Sequence, residues 1–251
     1  LNVAGGVSFI DDDYMDNFGH GTTIAGVISA LNNDFGIIGV APGVELYAVK
    51  VMNESGGKLS DIIKGIERAI ENNMDIISIS FGTPIYSRAL EYKLAEAYEA
   101  GIIIVAAAGN DGEDVWYPAK YSSVIAVGSI NEGNNSFHSN YGNELELVAP
   151  GANIITTYLN NGFVSVSGTS LSAPHVSGVL ALMLEDNSDL SPNEARMKLQ
   201  RDAIDLGEEG KDDYYGYGLA QISFEQTDLS ATIVIMFPPE EDETIKEELK
   251  I

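Results

Sequence analysis

His20 is one of three histidines in the chain, and its neighbours suit general-base chemistry. Gly19 and Gly21 flank it, and the small and apolar residues that follow predict a helix behind it. The two glycines leave room for a substrate backbone beside the imidazole, and neutral histidine is the side chain best suited to accept a proton near pH 7. The segment alone leaves an alternative open, in which His20 is a structural residue at a helix start.

A candidate nucleophile, Ser170, lies within the run Ser-Gly-Thr-Ser-Leu-Ser-Ala-Pro-His at residues 167–175. Gly168 and the small residues after it allow a sharp turn, and the apolar sequence that follows predicts a helix over residues 170–185. Ser170 would then lie at a helix N-terminus, where backbone N–H groups and the helix dipole favour a developing negative charge. The alternative is that Ser170 only caps this helix.

Asn110 is the third residue of interest, because it follows the small-residue run Ala106-Ala107-Ala108-Gly109 at the end of an apolar strand. Ligands bind at the carboxyl ends of strands in doubly wound sheets, and a side-chain amide there could donate a hydrogen bond to an oxyanion. Asn110-Asp111-Gly112 is also good turn chemistry, so a simple turn is the alternative.

Strands and helices alternate in the segments that must position these residues. Apolar runs of strand length occupy 45–52, 75–80, 101–108 and 123–130, and amphipathic helices are predicted over 59–72 and 86–99. The strands are apolar at every position, as in strands that are covered on both faces. We therefore predict an α/β fold with a doubly wound, mostly parallel sheet and helices on both faces.

Two further elements have local signals. Asn160-Asn161-Gly162 lies between two β-rich runs and predicts a hairpin over 153–167. Ser191 and Glu194 predict a capping box at the start of the last helix, with Pro192 in its first turn.

Composition excludes several classes of function. The chain has 251 residues and a formal net charge of -25, so nucleic acid and anionic membrane surfaces are poor partners. No apolar stretch is long enough to predict a membrane span. With no cysteine there is no thiolate catalysis, and no glycine-rich phosphate loop follows the first strand, which argues against a nucleotide-binding protein.

Taken together and in this order, the three segments resemble the catalytic motifs of subtilisin-like serine proteases, the subtilases. The resemblance runs over residues 1–218 and implies a subtilisin-like catalytic domain at 1–225. Composition changes in the extension at 226–251, where the apolar run Ile233 to Phe237 predicts an edge strand and the acidic residues after Pro239 predict a solvated tail; a tail that binds a partner or propeptide is the alternative. Further stretches that carry the resemblance are Leu31-Asn32-Asn33, Gly39-Val40-Ala41-Pro42, Leu46-Tyr47-Ala48-Val49-Lys50-Val51, Ser80-Phe81-Gly82, Tyr117-Pro118-Ala119-Lys120-Tyr121 and Val148-Ala149-Pro150-Gly151.

The resemblance also implies roles for residues. His20 resembles the general base of a serine endopeptidase, Ser170 its nucleophile, and Asn110 the side-chain half of the oxyanion hole, with the Ser170 N–H as the other half. Two segments resemble walls that bind an extended peptide or protein substrate as an added strand; they consist of Ser80, Phe81 and Gly82, and of Ala107, Ala108 and Gly109. A structural calcium site is implied at the Asn33 side chain and at the carbonyls of Leu31, Phe35 and Ile37.

The chain departs from the family pattern at the catalytic aspartate, which in subtilases lies at the end of a core strand, before Thr-Gly or Ser-Gly. The carboxylates before His20 are Asp11, Asp12, Asp13 and Asp16. None has a predicted strand before it or that dipeptide after it, so none is assigned as the acid. We therefore expect an N-terminal fragment or propeptide, as in a zymogen, to complete the sheet and supply the acid.

The alternative function is a catalytically impaired scaffold that binds a propeptide or regulatory partner. Most of the family is secreted, so the expected location is outside a bacterium or on its surface, with the cytoplasm as the alternative.

Overall fold

The computed structural model describes residues 1–223. The predicted extension at 226–251, with its edge strand and acidic tail, lies outside these residues. The strands are β1 (Val3–Ser8), β2 (Leu46–Lys50), β3 (Met52–Asn53), β4 (Gly56–Gly57), β5 (Ile76–Ile79), β6 (Ile103–Ala107), β7 (Ile125–Ile130), β8 (Leu147–Pro150), β9 (Ile154–Tyr158) and β10 (Gly162–Val166). The helices are α1 (His20–Ser29), α2 (Leu59–Glu71), α3 (Arg88–Glu99), α4 (Thr169–Asp186) and α5 (Pro192–Asp202).

A four-stranded parallel sheet in the order β5-β6-β7-β8 is the centre of the fold. Apolar side chains of α2 and α3 pack on one face, and those of α4 and α5 pack on the other. The predicted α/β fold, with a parallel sheet and helices on both faces, is confirmed.

Burial differs among the strands in a way that the sequence did not indicate. Every residue of β6 and β7 is buried, as predicted for covered strands. Strands β2 and β5 are largely half-exposed instead. Within residues 1–223, β2 pairs only with β1 and β5 only with β6, and both strands border an open space. Each therefore keeps one free edge.

An open groove of about 2300 Å³ adjoins these two free edges. Apolar side chains from β2, β5, α1, α2 and α4 line it, and His20 lies at its wall. We call this space the open groove; its apolar lining includes Leu46, Val49, Ile76, Ile24, Ile28, Ile62, Ile66 and Ala181.

Two local predictions are confirmed and one is wrong. Strands β9 and β10 form the predicted antiparallel hairpin around the Asn-Asn-Gly turn, and Ser191 and Glu194 form the capping box. The expectation that no strand precedes the carboxylates at 11–16 is wrong, because β1 ends at Ser8. Strand β1 contains two glycines and lacks the usual run of branched residues, so its extended form depends on parallel pairing with β2.

Of the described helices, none has the length and apolarity that a bilayer crossing requires.

Candidate active site

Ser170 lies in the first turn of α4, and its hydroxyl donates a hydrogen bond to the carbonyl of Ser80 at 3.0 Å. The Ser80 hydroxyl in turn donates to the carbonyl of Ser170 at 2.9 Å. The residue before the helix is Gly168, and no side chain caps it. The capping alternative for Ser170 is therefore wrong, and its hydroxyl points across to the end of β5.

Pro174 explains why the Ser170 carbonyl accepts a side-chain hydroxyl. A helical carbonyl normally accepts from the N–H four residues later, and that residue is Pro174, which has no N–H. The Ser80 hydroxyl takes the place of the missing donor. Pro174 and Ser80 together thus attach the start of α4 to the end of β5.

Asn110 is held by Thr169 across the carboxyl edge of the sheet. Its side-chain oxygen accepts from the Thr169 N–H at 2.8 Å and from the Thr169 hydroxyl at 3.0 Å. Thr169 is fully buried, and its hydroxyl also accepts from the Gly109 N–H. Because the oxygen of the Asn110 amide is bonded to Thr169, its NH₂ group is directed away from Thr169. Asn110 therefore has a side-chain contact beyond what a simple turn requires. Within residues 1–223, neither its NH₂ group nor the Ser170 N–H has a hydrogen-bond acceptor.

His20 is the first residue of α1, and no hydrogen bond to its ring exists among the described residues. It is exposed at the wall of the open groove. The walls still remove part of the hydration of the ring, and this desolvation lowers the pKa of His20 below its usual value. The negative charge of Asp16 acts in the opposite direction. The lowered pKa favours the neutral ring, which is the form that a base requires.

Asp16 organises the loop that presents His20. Its carboxylate accepts hydrogen bonds from the N–H groups of Phe18, Gly19 and Thr22, and from the Thr22 hydroxyl. Partial burial alone would raise the pKa of Asp16, but these bonds outweigh it and hold the pKa below its ordinary value. Asp16 is thus an ionised cap at the N-terminus of α1, where the helix dipole favours a negative charge.

The helix that carries His20 is attached to the β9–β10 hairpin. Thr156 donates from its hydroxyl to the Thr23 carbonyl at 2.7 Å, and Thr157 donates to the Thr22 carbonyl at 2.8 Å. The hairpin leads directly into α4. One continuous segment therefore holds the first turn of α1 and delivers Ser170.

The remaining predicted site residues fall into two places. Ser80 to Gly82 continue beyond β5 and Ala108 to Gly109 beyond β6, so the two predicted substrate walls lie on adjacent strand ends beside Ser170 and Asn110. The predicted calcium residues lie in the loop after α1 and line the open groove; they are Leu31, Asn33, Phe35 and Ile37.

No carboxylate hydrogen-bonds to His20 within the described part of the chain. Asp11 pairs with Lys50 at 2.7 Å and accepts from the Ser8 hydroxyl. Asp13 accepts from a backbone N–H, and Asp16 is the helix cap described above. These contacts are those of loop and cap residues, and none of the three carboxylates is assigned as the catalytic acid.

Two positioning residues, Thr169 and Pro174, were not identified from the sequence. A signal was present, because a plain helix cap requires neither Gly-Thr before the serine nor Ala-Pro-His after it. His175, the last residue of that run, lies with Nδ1 at 2.7 Å from the Leu171 carbonyl, and burial lowers its pKa. It is a neutral structural histidine.

Comparison with known proteins places these segments within one family. Residues 4–218 match the Subtilase family. The chain is 45% identical over 231 residues to Subtilisin DY of Bacillus licheniformis, a match that covers 88% of this chain and 83% of that protein. It is 42% identical over 234 residues to the Minor extracellular protease Epr of Bacillus subtilis, covering 91% of this chain and 36% of that protein. The solved structure of sphericase matches with a TM-score of 0.77 at 32% identity, covering 83% of this chain and 79% of that one.

Proposed function

The chain belongs to the subtilase family of serine proteases, and we propose that it is an endopeptidase that forms an acyl-enzyme on Ser170. The observation that carries this proposal is the convergence of the Ser170 hydroxyl, the Ser170 N–H and the Asn110 amide at the carboxyl edge of the sheet. A peptide carbonyl placed there would meet a nucleophile on one side and two unpaired donors on the other.

The reaction proceeds in two steps with His20 as the proton carrier. Ser170 Oγ bonds to the scissile carbonyl carbon while its proton passes to His20, and Asn110 and the Ser170 N–H bind the oxyanion. The carbon–nitrogen bond breaks as His20 returns the proton to the leaving amine. Water then attacks the acyl-enzyme by the same route and releases Ser170. For this, the Ser170 hydroxyl must turn from the Ser80 carbonyl toward His20.

Ser170→Ala and His20→Ala test these roles. Each variant should lose nearly all peptidase activity and keep its thermal unfolding temperature. Because the two residues act as one unit, the double variant should be barely slower than either single variant. A fluorophosphonate should label Ser170 stoichiometrically in the unmodified protein and fail to label Ser170→Ala. A double variant whose loss of activity equals the product of the two single losses would refute the assignment, and so would the absence of labelling in the unmodified protein. Either result would favour a noncatalytic scaffold, for which the protease relatives give no support.

The orienting acid for His20, we propose, is carried by an extended segment that fills the open groove, of the N-terminal or propeptide kind expected from the sequence. The free edges of β2 and β5 support this, because one strand could pair with both and cover the half-exposed apolar side chains between them. Intact mass measurement on the purified, undenatured protein tests the proposal. Full activity with no mass beyond that of residues 1–251 would contradict it.

We also propose that a calcium ion binds in the loop after α1. Within residues 1–223, the Asn33 side chain and the carbonyls of Leu31, Phe35 and Ile37 form no hydrogen bond, and uncharged oxygens are ligands that Ca²⁺ accepts. A bound ion would tie this loop to whatever occupies the open groove. Chelation should lower the unfolding temperature of the unmodified protein and have less effect on Asn33→Ala; an equal effect on both would exclude this loop.

The substrates that this site fits are peptide and protein chains in extended form, bound between the two wall segments. We further propose an extracellular bacterial location, which the similarity to an extracellular protease supports. Detection of the protein in the cell interior alone, by fractionation, would contradict it.

A further inference from the structure

Trp116, the single tryptophan of the chain, lies between the two wall segments. A Cβ atom added to Gly109 would lie 3.1 Å from Cδ2 of the indole. A Cβ atom added to Gly82 would lie 3.4 Å from Cβ of Trp116 and 3.6 Å from its Cε3. The indole therefore reaches both walls, and it approaches them closely because each has a glycine at the point of contact.

The backbone of Trp116 is fixed on both sides. Its N–H donates to the Ala108 carbonyl and its own carbonyl accepts from the Lys120 N–H, both at 2.9 Å. The next residue, Tyr117, exchanges two hydrogen bonds with Thr83, at 2.8 and 2.9 Å. The Trp116 backbone is thus bonded directly to one wall at Ala108, and its neighbour Tyr117 is bonded to Thr83, the residue after the other wall.

The loop before Trp116 is also tied down. Asn140 is fully buried, and its side chain accepts from the N–H groups of Asp111 and Glu113 and donates to the Asp114 carbonyl. The short segment between Asn110 and Trp116 is therefore folded onto a buried anchor. This anchor and the backbone bonds of Trp116 hold the indole in the space between the walls.

This space is where the substrate residue before the cut must place its side chain. In the proposed reaction its carbonyl carbon would meet Ser170 and its carbonyl oxygen would face Asn110, which would put its Cα near the ends of β5 and β6, close to Gly82 and Gly109. We propose that Trp116 fills the base of this pocket and restricts cleavage to peptides with a small residue, such as glycine, alanine or serine, before the cut. This inference rests on the proposed endopeptidase function and names its substrate class.

Kinetics on matched peptides test the proposal. We would measure kcat/KM for two blocked tetrapeptide amides that differ only in alanine or phenylalanine before the scissile bond. The unmodified protein should prefer alanine, and Trp116→Ala should lower the alanine-to-phenylalanine ratio by about 100-fold, the scale on which pocket size discriminates apolar side chains. Tyr92→Ala, which removes an exposed aromatic residue of α3, should leave the ratio unchanged. Equal cleavage of both peptides by the unmodified protein would overturn the proposal.

A binding measurement keeps the test valid if Trp116→Ala does not fold. Because Trp116 is the only tryptophan, its emission in the Ser170→Ala protein reports directly on the pocket. The alanine peptide should change that emission saturably and bind at least about 10-fold more tightly than the phenylalanine peptide. Binding of either peptide by calorimetry without an emission change would place Trp116 outside the pocket and overturn the inference.

Fluorophosphonate labelling separates the two possible failures. A protein that is labelled at Ser170 and prefers phenylalanine refutes the role of Trp116 and leaves the endopeptidase function intact. A protein that is neither labelled nor active on any peptide refutes the proposed function, and the substrate class falls with it.

Discussion

The pairing of Ser80 with the carbonyl that Pro174 leaves free gives a prediction in which two substitutions compensate. Ser80→Ala removes the hydroxyl donor and leaves the Ser170 carbonyl without a partner. Pro174→Ala adds the backbone N–H that a regular helix would aim at that same carbonyl. Ser80→Ala should therefore be less damaging in the Pro174→Ala protein than in the unmodified one.

The size of the effect follows from burial. Ser80 is 7% exposed, and the bond that it donates is 2.9 Å long. An unpaired buried carbonyl costs about 1–3 kcal/mol, and the lost bond was itself worth about 1 kcal/mol. Pro174→Ala has its own effect, because a buried ring is lost and a helix former is gained, but this effect is common to both backgrounds. The coupling energy should be about 1–2 kcal/mol in favour of the double variant.

Urea denaturation of the unmodified protein, Ser80→Ala, Pro174→Ala and the double variant measures this coupling directly. The control is Ser29→Ala, because Ser29 is also buried and donates to a helical carbonyl, that of Ala25, whose backbone donor is present. Its effect should add to that of Pro174→Ala. The Ser80 carbonyl survives in Ser80→Ala, so labelling of Ser170 should persist. Coupling below about 0.3 kcal/mol would show that Ser80 does not replace the missing donor.

Two further predictions concern charges. Asp16→Asn removes a negative charge that raises the pKa of His20, so the pKa of the base should fall. The acid limb of the profile of kcat/KM against pH should then move to lower pH, and a shift to higher pH would contradict this. Glu146→Ala should lower the free energy of unfolding in urea by about 3–5 kcal/mol, because it leaves Arg196 in a largely buried site without its ion-pair partner. Glu71→Ala, which breaks an exposed pair, is the control and should change little.

The parts of the fold that the sequence predicted are those with strong local signals. Helix α2 was expected over 59–72 and runs over Leu59–Glu71, because its apolar residues recur at helical spacing. The capping box at Ser191 and the hairpin turn after Tyr158 are also encoded within a few residues. The order of the three candidate motifs, around His20, Asn110 and Ser170, was sufficient to suggest the family.

Other features depend on contacts between distant residues. The Ser80–Ser170 pair joins residues 90 positions apart, and Thr169 holds Asn110 from 59 positions away. Strand β1 forms only because β2 lies beside it. Periodicity carries no information about such contacts, so the half-exposed β2 and β5 were expected to be covered on both faces like β6 and β7.

The candidate site consists of two parts, which are held by different elements of the fold. Ser170, Asn110 and the walls lie on the four-stranded sheet, where β6 and β7 are buried throughout. His20 lies on α1, at the wall of the open groove, and the threonines of β9 attach this helix to the same segment that delivers Ser170. A strand that filled the groove would contact both parts at once. Its binding would therefore fix the distance from His20 to Ser170 as well as supply a carboxylate, so assembly of the sheet and activation of the nucleophile would be one event.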